Sequence, residues 1–305
     1  MDVGFGLPVS GVWATPANQV NIARRAEQLG YRSLWTFQRL LIPAEPEGVA
    51  ASPAYRSVLD PVVSLAHVAA VTERVRLGVA VLNMPFFSPA LLAKQLASLD
   101  VLCGGRLDAG LGLGWSPEEY AASGVPYERR GARGEEFLAV VRALWTQEVA
   151  EHHGQFYDLP PVRMAPRPVQ RPHPPILLGG SAEPALRRAG RLADGWISSS
   201  RAAKASLHAS IAVIAEAARQ AGRDPATLRY IARVPVQPGP AGERHRRPLT
   251  GSFDQIRADL DELAAQGLTE LFIDLNWNPQ VGSPDADPAA ALALAEATLE
   301  ALAPA

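Results

Sequence analysis

The sequence is short of the residues that mark secretion, metal binding and membranes. Cys103 is its single cysteine, so no internal disulfide can form, and a reducing cytoplasm is the expected compartment. The opening MDVGFGLPVSG has neither a basic lead nor a long apolar core, so no signal peptide is expected. No apolar run approaches the length of a bilayer span, and no membrane partner is expected. The six histidines are scattered, and His152-His153 has no further ligand near it in sequence, so no metal site is expected. Surplus charge is also missing. The 29 basic and 31 acidic residues are well mixed and leave a formal net charge of −2; the one basic run is Arg244-His245-Arg246-Arg247. That balance argues against a nucleic-acid or membrane-surface partner.

What the chain does have is apolar content and a repeating signal. Its 305 residues, 48% apolar, can bury a large core. Short β-branched runs are followed by Ser, Thr or Asp, then often Pro, then an alanine-rich stretch. Thr15-Pro16, Asp60-Pro61, Ser88-Pro89, Ser116-Pro117 and Asp224-Pro225 each read as an N-cap with proline at the first helical position. Ser116-Pro-Glu-Glu119 and Ser252-Phe-Asp-Gln255 match the capping box. Gly30, Gly104, Gly222 and Gly267 fall where helices should stop.

Eight strands are expected between these helices: Val3–Leu7, Ser33–Phe37, Arg76–Leu82, Arg106–Leu113, Pro175–Gly179, Gly195–Ser198, Tyr230–Val236 and Glu270–Leu275. Several are continuously apolar, as strands buried on both faces of a parallel sheet are. Eight alternating β and α units predict an α/β fold, a (β/α)8 TIM barrel spanning residues 1–305 as one domain, with an open doubly wound sheet as the alternative. Between the fourth and fifth strands the chain runs about 60 residues where a barrel unit needs roughly 30. The excess, about residues 116–174, reads as an insertion over the C-terminal rim, with a second helix from about Gly131 to Trp145 and a proline-rich end. Gly239–Gly251, rich in glycine, proline and arginine, reads as a mobile loop.

A barrel gathers its chemistry at the C-terminal strand ends. Here those ends are small, polar or aromatic and almost free of carboxylates: Gln38-Arg39, Asn83, Gly112-Leu113-Gly114-Trp115, Gly179-Gly180-Ser181 and Ser198-Ser199-Ser200 among them. No acid pair suits glycoside hydrolysis and no serine sits on a nucleophile elbow. Leu-Leu-Gly-Gly-Ser181, leading into a helix at Glu183-Pro184, fits an anion pocket of exposed amides, and equally a plain helix cap with two turn glycines. Gly110, Gly112 and Gly114 are not the dinucleotide fingerprint, because the spacing is G-x-G-x-G. Alternate glycines on a strand clear one face for a ring or a backbone, or only relieve packing. Trp35, Trp145 and Trp196 read as core; Trp115, at a strand mouth, does not. Of Arg129, Arg130 and Arg133, one turned to the mouth would hold an anion.

With these residues the chain resembles the bacterial luciferase-like family of flavin and deazaflavin oxidoreductases, and most closely the branch that uses coenzyme F420. The resemblance runs from Ala26 to Trp35, through Arg76–Leu82 and Pro89–Leu111, to Gly154-Gln155-Phe156-Tyr157 and the proline-rich run into Leu-Leu-Gly-Gly-Ser181 and Trp196. It implies a bulge with a non-prolyl cis peptide at Ala80–Val81 behind the cofactor ring. It also implies a phosphate turn at Gly179, Gly180 and Ser181, and a fourth-strand end, Gly112 and Gly114, beside the cofactor; Asn83, at the same mouth, is read as lining both the cofactor and the substrate side. The acid and base of the family's sugar-phosphate dehydrogenases are replaced by Gln38-Arg39 and Trp115, so that reaction is not expected. The resemblance implies an F420-dependent hydride transfer to a small organic substrate, with Gln38, Arg39 and Trp115 on the substrate side. FMN-dependent monooxygenation with a separate flavin reductase is the alternative, and a cofactor-binding protein without catalysis is a third. A homodimer is implied by the resemblance alone.

Overall fold

Several passages from strand to helix are set by a polar residue followed by proline. Thr15, Asp60, Ser88 and Ser116 accept hydrogen bonds from the backbone N–H of Asn18, Val63, Leu91 and Glu119, and proline opens the helix that follows. One orphan donor is satisfied, and proline has none to lose. The helices so started are α1 (Pro16–Gln28), α2 (Pro61–Ala69), α3 (Pro89–Leu102) and α4 (Pro117–Ala122). Gly30, Gly104, Gly222 and Gly267 all have positive φ, as a left-handed helix stop requires.

The computed structural model describes residues 1–202, 207–243 and 245–304. Its parallel strands are β1 (Asp2–Gly6), β2 (Ser33–Thr36), β3 (Arg76–Val79), β4 (Leu82–Asn83), β5 (Leu107–Gly112), β8 (Ile176–Gly179), β9 (Gly195–Ile197), β10 (Arg229–Pro235) and β13 (Glu270–Asp274). They follow the order β3-β2-β1-β13-β10-β9-β8-β5-β4, and the extra pairing of β3 with β5 closes the ring. β3 and β4 are one barrel strand interrupted at Ala80–Val81, so the barrel is eightfold and the open-sheet alternative falls.

Side chains two apart on a strand share a face, so the barrel interior divides into layers. At the N-terminal end Asp108 binds Arg76 at 2.6 Å and Arg229 at 2.7 Å, and Glu270 binds Arg229 at 2.7 Å and the Ser33 hydroxyl at 2.5 Å. Burial alone would raise the Asp108 carboxyl, but Arg229 and Arg76 hold it below the ordinary carboxylate range. Above lies an apolar layer of Trp35, Leu177, Ile197, Ile231 and Phe272, with Trp35 stacked on Phe272 at 5.1 Å. The third layer, Phe37, Ala80, Gly112, Gly179 and Arg233, is at the C-terminal mouth.

Two expectations need correction. The stretch 116–174 does not lie wholly over the C-terminal rim. After α4, helix α5 (Arg130–Thr146) runs down the outside of the barrel. An unforeseen hairpin, β6 (Ala150–His153) with β7 (Asp158–Val162), then lies along it, its tip clamped by Glu136, which accepts the N–H groups of Gln155, Phe156 and Tyr157. The proline-rich end packs at the N-terminal end of the barrel. Asp100 there accepts the N–H of Val169 and Gln170, and the Gln170 side chain reaches Arg76 and the Leu107 carbonyl. The cause is topological: a helix antiparallel to β5 delivers the chain to the end where β8 must start. Through its described residues the loop from Gly239 to Gly251 is fastened, with Arg246 forking onto Asp259 at 2.7 and 2.9 Å and β11 (Gln237–Pro238) pairing β12 (Thr250–Gly251). Of the basic run, Arg244 is outside the described residues. The remaining helices are α6 (Glu183–Leu192), α7 (Leu207–Gln220), α8 (Phe253–Ala264) and α9 (Pro288–Ala301). Among the described residues no helix is long and apolar enough to cross a membrane.

Candidate active site

A cleft of about 380 Å³ opens at the C-terminal strand ends, within the range of small-ligand pockets. Gln38, Arg39, Ala80, Val81, Asn83, Gly112, Gly114, Trp115, Gly179, Gly180 and Ser181 all line it. They come from the ends of β2, β4, β5 and β8 and the Ala80–Val81 break.

That break is a non-prolyl cis peptide bond. The Ala80 carbonyl accepts from Arg233 at 3.1 Å, and Arg233 in turn binds Asp274 at 2.6 Å. Val81 follows and forms the floor. A Cβ built on Gly112 would come within 2.4 Å of Val81 Cγ2, and one on Gly179 within 3.0 Å of Cγ1. The two glycines therefore make room for the valine side chain between them. Gly110 has a different duty: its Cβ would meet the Val79 carbonyl at 1.7 Å, so it exists for strand packing. Gly114 lies beyond the strand with φ +73° and faces Asn83 and Phe86; the three glycines do not share one face. Gln38 is bound through its Oε1, which accepts the Asn83 N–H at 2.8 Å, leaving the side-chain NH2 as its donor.

The turn after β8 carries Gly180 at φ +139°, where an added Cβ would meet Ala185 at 2.6 Å, so only glycine fits. Its carbonyl accepts from Trp196 Nε1 at 2.8 Å. Helix α6 follows, and its N-cap position, Ala182, offers no side chain to its orphan N–H groups. An uncapped N-terminus behind a glycine turn, with Ser181 and Ala182 exposed, suits an anion.

Across the cleft stands Arg39. Its side chain is only 4% exposed, its guanidinium lies 4.4 Å from the Tyr55 ring and 4.6 Å from the Trp115 ring, and its Nε is 3.5 Å from Glu119 Oε1. Arg39 Nε and Nη1 and Glu119 Oε2 are buried without a hydrogen-bond partner. Here a third correction arises. Ser116 caps α4, but Glu119 does not reach back to complete a capping box; its Oε1 accepts the N–H groups of Leu40 at 2.7 Å and Leu41 at 3.2 Å. Ser252 and Gln255 do complete theirs. Trp115 is 36% exposed, whereas Trp35, Trp145 and Trp196 are core.

Sequence reasoning missed Tyr55, Arg233 and Glu119. Tyr55 comes from a short turn with no local signal. Arg233 was visible as a lone charge inside the apolar run Tyr230–Val236. Among the three arginines of the α5 start, Arg130 lines the cleft, stacked 4.0 Å from Tyr127, while Arg129 and Arg133 cover Phe156. No cluster of His, Cys, Asp and Glu able to hold a metal occurs among the described residues.

Comparison with known proteins adds the lineage. Residues 4–297 match the family model described as luciferase-like monooxygenase. An uncharacterized protein, Rv0940c of Mycobacterium tuberculosis, is 40% identical over 186 residues, 58% of this chain; the chain spans 64% of that relative's length. The FMNH(2)-dependent dimethylsulfone monooxygenase of Pseudomonas putida is 34% identical over 199 residues, 64% of this chain and 53% of that protein. The crystal structure of monooxygenase RslO1 from Streptomyces bottropensis superposes with a TM-score of 0.78 at 25% identity, covering 99% of this chain and 98% of that one. An F420-dependent secondary alcohol dehydrogenase, solved with an F420-acetone adduct, has a TM-score of 0.76 at 16% identity, with 95% and 96% covered, a likeness of fold.

Proposed function

The chain belongs to the luciferase-like monooxygenase family, and from that premise we propose that it is an oxidoreductase whose cleft seats coenzyme F420 beside a small organic substrate. The observation that carries this is one cleft in which Val81, seated against Gly112 and Gly179, lies between an uncapped helix N-terminus and a buried arginine with its aromatic neighbours. Ala80 and Val81 would back a planar ring, and the Gly179–Ser181 turn with the uncapped α6 N-terminus would hold its phosphate. Arg130 and Arg201, which also line the cleft, suit an anionic tail longer than one phosphate, and this favours the deazaflavin. When bound, the cofactor supplies the hydride chemistry; the chain supplies anchoring, orientation and exclusion of water. Gln38 and Asn83 would orient the substrate, and Tyr55 and Trp115 would cover it.

A second reading is FMN-dependent monooxygenation fed by a separate flavin reductase, favoured by the identity to the FMNH(2)-dependent relative. Titrating F420 and FMN separately, followed by tryptophan fluorescence, tests both. The expected result is F420 binding with Kd below about 100 μM, about −5.5 kcal/mol. Tight FMN binding with oxygen consumption under a reduced-flavin supply would select the second reading. Binding of neither would remove both.

A further inference from the structure

The cleft holds a second cationic group, on strands other than those that carry the phosphate turn. Among the described residues its lining includes four arginines, Arg39, Arg130, Arg201 and Arg233, and no carboxylate. Arg233 is engaged by Asp274 and the Ala80 carbonyl. Arg130 and Arg201 belong to the β8 side: Arg201 follows β9, the neighbour of β8, and Gly131 lies against Arg188 of α6. Arg39 follows β2, separated from β8 by β3, β4 and β5. An anion on the α6 N-terminus therefore leaves Arg39 to another.

The local geometry says which kind. A buried guanidinium whose Nε and Nη1 lack hydrogen bonds is unfavourable, because each donor has lost water without gaining a partner. Glu119 does not remedy this, because its Oε1 is already taken by the Leu40 and Leu41 amides and stands 3.5 Å away. It fixes the arginine without saturating it. Tyr55 and Trp115, 6.1 Å apart and inclined 45°, form an aromatic corner around the guanidinium. A group that docks there needs an oxyanion for the guanidinium fork and a flat apolar body for the rings. We propose that Arg39 is the docking residue for a carboxylate carried by the organic substrate, with Glu119 as its positioning residue. This rests on the reading of the cleft as a cofactor-and-substrate site.

Benzoate and its neutral isostere benzamide are the probes, titrated calorimetrically into the full chain. Benzoate is expected to bind at least tenfold more tightly than benzamide. Arg39→Gln should reduce that preference to within twofold, and Arg39→Lys, which keeps charge but loses the fork, should retain part of it. Glu119→Gln, still offering an oxygen to Leu40 and Leu41, should keep the preference, whereas Glu119→Ala should lose it. Ala182→Asp, which places a carboxylate at the phosphate turn, should leave it intact. Equal binding of the two probes to the wild type, or a preference surviving Arg39→Gln, would overturn the proposal. So would a preference abolished by Ala182→Asp, because the anion would then sit on α6. F420 and FMN titrations on the same samples separate the two levels: cofactor binding without a carboxylate preference sinks this inference alone. Absence of cofactor binding with an Arg39-dependent preference sinks the function and leaves the carboxylate site.

Discussion

The two ends of the barrel are built from the same strands and put buried charge to opposite uses. At the N-terminal end β10 supplies Arg229, β13 Glu270 and β5 Asp108, and they join in one network with Arg76 and Ser33. Four residues further along β10 and β13, Arg233 and Asp274 form a similar pair, but β5 now supplies Gly112 where it had supplied Asp108. The missing side chain is the opening. Beside it, Arg39 and Glu119 retain buried polar atoms without hydrogen bonds. A closed end satisfies its polar groups internally. An end built to bind leaves some unsatisfied and accepts lower stability until a ligand arrives.

The contrast can be broken most severely at the closed end. Asp108→Asn would leave Arg76 and Arg229 without their shared charge, and a loss of about 3–5 kcal/mol is expected from denaturant melts. The pH dependence follows from the same group. Its folded pKa is depressed, so its contribution is complete above the unfolded value near about 4 and fades as pH falls through the lower native value. Acid unfolding of Asp108→Asn should accordingly start from a lower plateau and fall less steeply; an unchanged acid slope would count against the network.

Next in size are two glycines in one strand. Gly110→Ala drives a methyl into the Val79 backbone carbonyl and should destabilise by about 1–3 kcal/mol or more. Gly112→Ala meets only the Val81 side chain, which can turn, so it should cost less stability and weaken F420 or FMN affinity more. Thermal melts beside cofactor titrations read both. The reverse ranking would show that Gly112 serves packing.

A smaller effect of opposite sign is expected at α6. Ala182→Asp supplies the missing cap and should stabilise by about 0.5–1 kcal/mol, while its negative charge weakens cofactor affinity at least tenfold. Gly180→Asp is a poorer test, because any Cβ there strikes Ala185 at positive φ. The smallest change is expected from Arg39→Met combined with Glu119→Gln. Removing both charges of an incompletely bonded pair should leave stability within about 1 kcal/mol of wild type, or raise it. A loss comparable to that of Asp108→Asn would erase the distinction between the two ends.

Much of this was legible in sequence where the determinant is local. The caps at Thr15, Asp60 and Ser88, the helix-stopping glycines and the eight barrel strands depend on neighbours within a few residues. The cleft residues at strand ends followed from the barrel itself. Glu119 was misread because Ser-x-x-Glu is a local motif, whereas its partners, Leu40 and Leu41, are 79 and 78 residues away in the chain. Tyr55 reaches the mouth from a turn that no periodicity marks. The position of the proline-rich stretch depended on the direction of α5, a property of topology and not of composition.

The carboxylate of Glu119 has one more consequence, for how this protein can be changed. By holding the amides of Leu40 and Leu41 from a helix that follows β5, it makes two loops distant in sequence into a single heritable unit. A graft of either loop from a relative would arrive without its counterpart and lose its shape. Recombination or design at this rim would have to move residues 38–41 and 115–119 together, and single-loop chimaeras are the natural place to see that dependence as epistasis.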